Sequence, residues 1–257
     1  MMYHINSSDL LQNFGGNDSN NLNNLINQPD SIDEYDTSTI SQYVTLQHLP
    51  KYISPVADQI SVMTLNCQSI NAKFDQLHAV IHDLDVNHSF KFSVILLQET
   101  WLSGTNPDLS PYQLSGYQSF ALGASCSTKG GLLCYVLDSI KANVKLKVEH
   151  SKNFECIFIE LEGSNSSSVI VGNLYRPPRL NNNDISITNF IREFSPIMNN
   201  MVRQCENTIL AGDFNINLLK VLEREKYAEF LDLMLSVGFV PKITYPTRYA
   251  QKIGFVK

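Results

Sequence analysis

The first fifty residues carry no lysine or arginine, only the acidic side chains Asp9, Asp18, Asp30, Asp33, Glu34 and Asp36. Those residues account for the whole formal charge of −6. From Lys51 onward, 19 basic residues meet the remaining acidic ones in equal number. That part is near neutral, which excludes a generic basic coat for nucleic acid but not a local phosphate site. No apolar run approaches the ~20 residues that a membrane helix needs. The start, Met1-Met2-Tyr3-His4, has no basic segment leading into an apolar one, so no secretory signal is read there. Five cysteines lie scattered without a CxxC pair. Neither a disulfide framework nor a zinc cage is indicated, and a reducing, intracellular setting is the simpler expectation.

What is present suffices for one domain. The 257 residues are 43% hydrophobic, and a folded chain of this size buries roughly 70–75% of its unfolded surface. Residues 1–55 read as a poorly ordered, Asn-rich leader around Asn17-Asp18-Ser19-Asn20-Asn21. Such a composition buries too little to offset an ordering cost of about 1–2 kcal/mol per residue. Residues 56–257 read as the folded domain, in which strands and helices alternate. Ile60–Leu65 and Phe92–Leu97 are short apolar runs, the second apolar enough for burial on both faces. Phe74, Leu77, Ile81 and Leu84 mark one face of a helix over Ala72–Val86. Further strands are expected over 132–137, 144–148, 154–161, 169–174 and 208–212. An amphipathic helix runs from Ile187 to Cys205, with a kink expected at Pro196. Another helix through Tyr227 to Met234 closes at Gly238. The class is mixed α/β.

Polar residues follow several of these strands, where ligand sites of α/β sheets gather. Gln98-Glu99-Thr100-Trp101 follows a buried run, and a carboxylate there can hold Mg²⁺ through oxygen. An ordinary solvated glutamate is the plainer alternative. In Gly212-Asp213-Phe214-Asn215, positions 213 and 215 of an extended chain point the same way, so carboxylate and amide can converge on a phosphate or a water. An Asx-type turn fits equally. Asn66 after Thr64-Leu65 is uninformative alone. Tyr175 and Arg176 close a strand before two prolines, and both can donate to phosphate oxygens. His78 and His82 are four apart, but the glutamate of a zincin motif is missing, so helix-surface histidines are expected.

Taken in order, Leu65-Asn66, Gln98-Glu99-Thr100-Trp101, Gly130-Gly131, Leu174-Tyr175-Arg176-Pro177-Pro178, Gly212-Asp213-Phe214-Asn215 and Tyr245-Pro246-Thr247-Arg248 resemble the endonuclease/exonuclease/phosphatase superfamily. Within it they are most similar to the apurinic-type endonuclease domains of non-LTR, jockey-like retrotransposons, over roughly Ile60 to Arg248. The resemblance implies a four-layer sandwich of two packed mixed β-sheets flanked by helices. It implies Mg²⁺-dependent phosphodiester hydrolysis, Mn²⁺ being an alternative, with DNA nicked through its phosphate backbone and a nuclear location. It assigns Glu99 and Asn66 to the metal, Asp213, Asn215 and Tyr175 to catalysis, and Asn66, Arg176 and Thr247 to substrate.

The family pattern continues past Thr-Arg to a Ser-Asp-His segment, whereas this sequence stops at Lys257 and its last histidine is His150. The expectation is therefore a sandwich incomplete at its C-terminal end, lacking its final strands. Three readings stay open: a nuclease, an inactive truncated remnant of such an element, or a member acting on another phosphodiester.

Overall fold

The computed structural model describes residues 2–4, 44–53, 59–124, 129–148, 151–163, 168–178, 184–205 and 207–243. One sheet holds β1 (Met2–His4), β2 (Val62–Asn66), β3 (Val94–Gln98), β4 (Tyr117–Leu122) and β5 (Leu132–Leu137), in the order β1-β2-β3-β5-β4. Its first three strands run parallel, and β5 pairs antiparallel with both β3 and β4. The other sheet holds β6 (Lys141–Val148), β7 (Glu155–Glu162), β8 (Ser168–Tyr175) and β9 (Thr208–Asp213), in that order. There β6-β7-β8 is an antiparallel meander and β8 pairs parallel with β9. Three longer helices cover the outside: α1 (Ile70–His88), α2 (Asp184–Gln204) and α3 (Glu225–Ser236).

Alternation along the strands sorts the apolar residues into three layers. Met63, Leu65, Ile95, Leu97, Leu133 and Tyr135 face outward from the first sheet onto Leu77, Ile81 and Leu84 of α1. Their neighbours Val62, Val94, Leu96, Leu132, Cys134 and Val136 face the other way, onto Ile157, Ile159, Val171 and Tyr175. Cys156, Phe158, Ile170 and Leu174 then pack against Phe190, Phe194 and Met198 of α2 and Phe230 and Met234 of α3. Period two on a strand requires this, since successive side chains point to opposite faces. Each fully buried aliphatic or Phe side chain contributes about 1.5–3 kcal/mol, so the layers dominate stability. The expected four-layer sandwich is the architecture found.

Local details differ from expectation. α1 begins at Ile70 and ends on Ser89, a left-handed residue whose amide donates to the Asp85 and Leu84 carbonyls. α2 runs unbroken in its assignment through Pro196. The α3 helix closes as expected, with Gly238 at φ +83 and the Phe239 amide donating to the Met234 carbonyl at 2.8 Å. Of the segment expected as leader, Leu49 and Ile53 are buried and join Val44 and Leu46 on the α1 side of the core. β1 pairs with β2 at the sheet edge.

Candidate functional site

The parallel pairs β2–β3 and β8–β9 end at the same place. Asn66 and Gln98 are register partners closing β2 and β3, and Tyr175 and Asp213 are partners closing β8 and β9. The Asn66 amide joins the sheets there: Nδ2 donates to Glu99 Oε1 at 2.6 Å and to Asp213 Oδ2 at 2.7 Å. One NH₂ group thus serves two carboxylates from different sheets. Since that end of the amide faces the acids, Oδ1 turns away; it is buried and has no hydrogen-bond partner.

Tyr175 completes the group. It is buried in the layer between the sheets, close enough to Glu99 and Asp213 for their charges to act on its hydroxyl. Burial, and then the charges of Glu99 and Asp213, hold its phenol well above the ordinary tyrosine range. It is therefore a neutral O–H donor at any working pH.

Each carboxylate sits on a turn with unusual backbone. Glu99 and Trp101 have φ +53 and +59, a region that costs non-glycine residues about 1–3 kcal/mol. The turn is stitched on both sides. The Ser69 and Ile70 amides donate to the Glu99 and Thr100 carbonyls at 2.8 and 3.0 Å, and the Thr100 and Trp101 amides donate to Gly131 and Gly130 at 3.1 and 3.0 Å. The second turn begins at Gly212, φ +143, where a Cβ would lie 1.9 Å from the Leu174 carbonyl oxygen. Asn215 is left-handed, φ +49, so the chain is not extended as supposed. Its backbone N–H donates to Asp213 Oδ1 at 3.1 Å and its side-chain Nδ2 to the Arg176 carbonyl at 2.7 Å.

Arg176 goes elsewhere. Next to Tyr175 on an extended chain, its side chain takes the opposite face, toward α2. It is 1% exposed. Nε donates to the Phe214 carbonyl at 2.7 Å, an NH₂ group to the Asn215 carbonyl at 3.0 Å and another to Ser186 Oγ at 3.3 Å. The guanidinium also lies over the Phe190 ring, 5.9 Å from its centroid. It clamps the Asp213 turn from behind and does not join the carboxylates. Thr247 lies outside the described residues.

Beneath the site is a polar floor that sequence reasoning left unassigned. Gln98 Nε2 donates to Asn173 Oδ1 at 2.6 Å, linking the sheets, and to Thr64 Oγ1 at 3.1 Å. Asn173 Nδ2 donates to the Leu97 carbonyl at 3.1 Å. Glu155 is buried nearby and accepts the Gly131 amide at 2.6 Å. The sequence held a signal for both. Asn173 shares its parity with Val171 and Tyr175, and Glu155 with Ile157 and Ile159, so each is a polar residue on an apolar row. His78 and His82 are on the exposed surface of α1, rings stacked at 6.2 Å, as expected.

Two clustered carboxylates suit a hard divalent cation, which takes oxygen ligands and uses few protein carboxylates; Asn66 faces them with its NH₂ group, not with its oxygen. Among the described residues no group of three or more His, Cys, Asp or Glu is placed to hold a metal. The model of the Endonuclease/Exonuclease/phosphatase family matches residues 63–220, more than half of the sequence. The chain belongs to this family. No curated protein matches the sequence significantly. Among solved structures, the catalytic domain of human Nocturnin superposes with TM-score 0.42 and 14% identity, over 64% of each chain. The APE2 catalytic domain of Xenopus laevis gives 0.49 and 13%, over 67% of each. An AP endonuclease from Archaeoglobus fulgidus gives 0.48 and 16%, over 71% of this chain and 72% of that one. The chain thus spans less than two thirds of the Nocturnin domain, and the family match, not these superpositions, carries the assignment. Among the described residues no helix is long and apolar enough to cross a membrane.

Proposed function

We propose that this member of the endonuclease/exonuclease/phosphatase family is a divalent-cation-dependent phosphodiesterase that nicks DNA, of the kind encoded by jockey-like retrotransposons. The observation that carries the reading is the meeting of the Glu99 and Asp213 carboxylates from two sheets at one amide, Asn66, which donates to both. Divalent-metal dependence is general in the family. Glu99 would hold Mg²⁺, or Mn²⁺ in its place, with Asn66 beside it once its amide is turned so that the oxygen faces the ion. When bound, the ion supplies positive charge against the phosphate oxygens and the leaving oxygen. Asp213 orients the attacking water and takes its proton. Tyr175, kept neutral by its surroundings, donates to a non-bridging phosphate oxygen, and Asn215 adds an amide donor. Thr247 stays a substrate contact on resemblance alone. The retrotransposon branch, and a nuclear place of action, rest on the order of Glu-Thr-Trp, Tyr-Arg-Pro-Pro and Gly-Asp-Phe-Asn in the sequence.

Supercoiled plasmid incubated with the full chain and millimolar Mg²⁺ is the test. Relaxed circles are expected, and should vanish with EDTA and in Glu99→Gln. Wild-type chain that binds Mn²⁺ but leaves plasmid intact would mean a binding remnant. Hydrolysis of RNA or a lipid phosphodiester in place of DNA would move it to another branch of the family.

A further inference from the structure

Glu155 stands behind the strand ends and holds none of the roles above. It opens β7, directly across from Tyr175 in the register. The alternate residues Ile157, Ile159 and Leu161 fill the apolar layer between the sheets. A carboxylate heading that row, only 7% exposed, demands donors. The Gly131 amide is one, at 2.6 Å from Oε2. Bare backbone is matched to it: a Cβ on Gly130 would lie 2.6 Å from Glu155 Oε1. From the same two glycines, the carbonyls reach forward to the Thr100 and Trp101 amides. Glu155 therefore pulls one side of a two-residue turn whose other side holds the left-handed turn bearing Glu99.

We propose that Glu155 is a positioning residue: by fixing the Gly130–Gly131 turn it fixes the Glu99–Trp101 turn, and so the direction in which Glu99 presents its carboxylate. Its catalytic consequence rests on the phosphodiesterase reading; its structural half does not. A carboxylate accepting a backbone amide makes a stronger bond than a neutral acceptor, and the bond lies in the dry layer where its loss is felt most. Glutamine at 155 keeps an oxygen for the Gly131 amide and loses the charge. Alanine loses both.

Trp101 is the only tryptophan in the chain, so intrinsic fluorescence reports this turn alone. In the full chain, Glu155→Ala is expected to shift Trp101 emission and raise its quenching by iodide, with Glu155→Gln between it and wild type. Mn²⁺ affinity should fall in the same order. In plasmid nicking, kcat should drop roughly 10- to 100-fold with KM for plasmid little changed, as for a slightly misplaced catalytic group. A folded Glu155→Ala with wild-type emission, quenching and Mn²⁺ affinity would overturn the proposal. Should neither variant fold, amide hydrogen exchange on wild type decides: Thr100, Trp101 and Gly131 protected alongside the sheet core supports it, and exchange within seconds overturns it. A chain that never nicks yet shows the emission shift defeats the phosphodiesterase reading and leaves Glu155 standing. Full nicking by Glu155→Ala with unmoved emission defeats Glu155 alone.

Discussion

The two turns that present carboxylates to Asn66 do the same work with different means. The Glu99 turn follows β3, an interior strand with β2 on one side and β5 on the other. Its peptide groups meet backbone from both neighbours, at Ser69 and Ile70 and at Gly130 and Gly131. The Asp213 turn follows β9, which among the described residues has a strand on one side only. One neighbour, Arg176, donates its backbone amide to the Asp213 carbonyl at 2.9 Å. The carbonyls of Phe214 and Asn215 are taken by the buried Arg176 guanidinium. Position in the sheet thus decides the support. An interior turn is contacted directly by backbone on both sides, whereas an edge turn borrows a long side chain with several fixed donors. The first should tolerate changes to the turn's own side chains, Glu155 acting on it only through the Gly130–Gly131 backbone, and the second should hang on one residue.

Glycine substitutions give the largest expected contrast. A Cβ at Gly212 would meet the Leu174 carbonyl oxygen at 1.9 Å, a backbone atom of the paired strand that cannot step aside. At Gly131 the nearest atom is Thr100 Oγ1, at 2.6 Å, the end of a side chain that can rotate. Both positions lie at positive φ, +143 and +82, so alanine is strained at either by about 1–2 kcal/mol. Gly212→Ala should add a backbone clash and unpair β9, so that no cooperative urea transition remains. Gly131→Ala should fold with a lowered midpoint. Equal midpoints would show that the edge turn is no more tightly specified than the interior one.

Next in size is the side-chain contrast. Arg176→Met removes the fork and leaves the partly buried Phe214 and Asn215 carbonyls without those donors. The cost should be about 2–6 kcal/mol, at 1–3 for each of the two unsatisfied groups. Arg176→Lys keeps the charge but not the fork, and should recover only part of this. On the other turn, Thr100→Ala leaves every backbone stitch in place and should cost about 1 kcal/mol, typical of a small buried deletion. Urea unfolding of the three variants measures it. If Thr100→Ala matches Arg176→Met, the division between backbone-held and side-chain-held turns is wrong.

Much of this was legible beforehand, for identifiable reasons. β2, β3 and β5 are buried on both faces, so they stand out as continuous apolar runs, and α1 and α2 show a clean helical stripe. β4 escaped notice because Tyr117-Gln118-Ser119-Phe120 carries polar residues on a half-buried edge strand. β1 has three residues and no period to read. In the site, the residue types and their places after strands were visible, but their directions were not. Arg176 beside Tyr175 reads as a second phosphate donor until the sheet has two different faces, one toward the other sheet and one toward α2. Asn215 was placed by assuming extended chain, and Gly212 and Asn215 both leave that conformation. Glu155 lay in plain sight on an apolar row, but only the neighbouring loop shows what it accepts.

The smallest effect concerns the flank that the interior turn has and the edge turn lacks. β5, whose preceding glycines hold the Glu99 turn, carries Cys134 and Tyr135, both buried; Thr208–Asp213 of β9 contains no thiol or phenol. Burial pushes the Cys134 thiol up from 9.0 to about 12, although Asn173 donates to it, and pushes the Cys156 thiol of β7 up to about 12 as well. Burial likewise raises the Tyr135 phenol. In unfolded chain these thiols lose protons near 9, while in the folded chain they keep them. Between those values the unfolded state binds fewer protons, so stability falls as pH rises from about 9 toward 12 and is unaffected below that window. Urea midpoints should therefore agree at pH 7 and pH 8 as far as these groups go, and drop by pH 10. Cys134→Ala should lessen the drop without touching the neutral-pH comparison of the two turns. A pH 10 loss unchanged in Cys134→Ala would mean that the β5 flank does not set the alkaline limit, and that the interior turn's backbone support is no more pH-sensitive than the guanidinium that serves the edge.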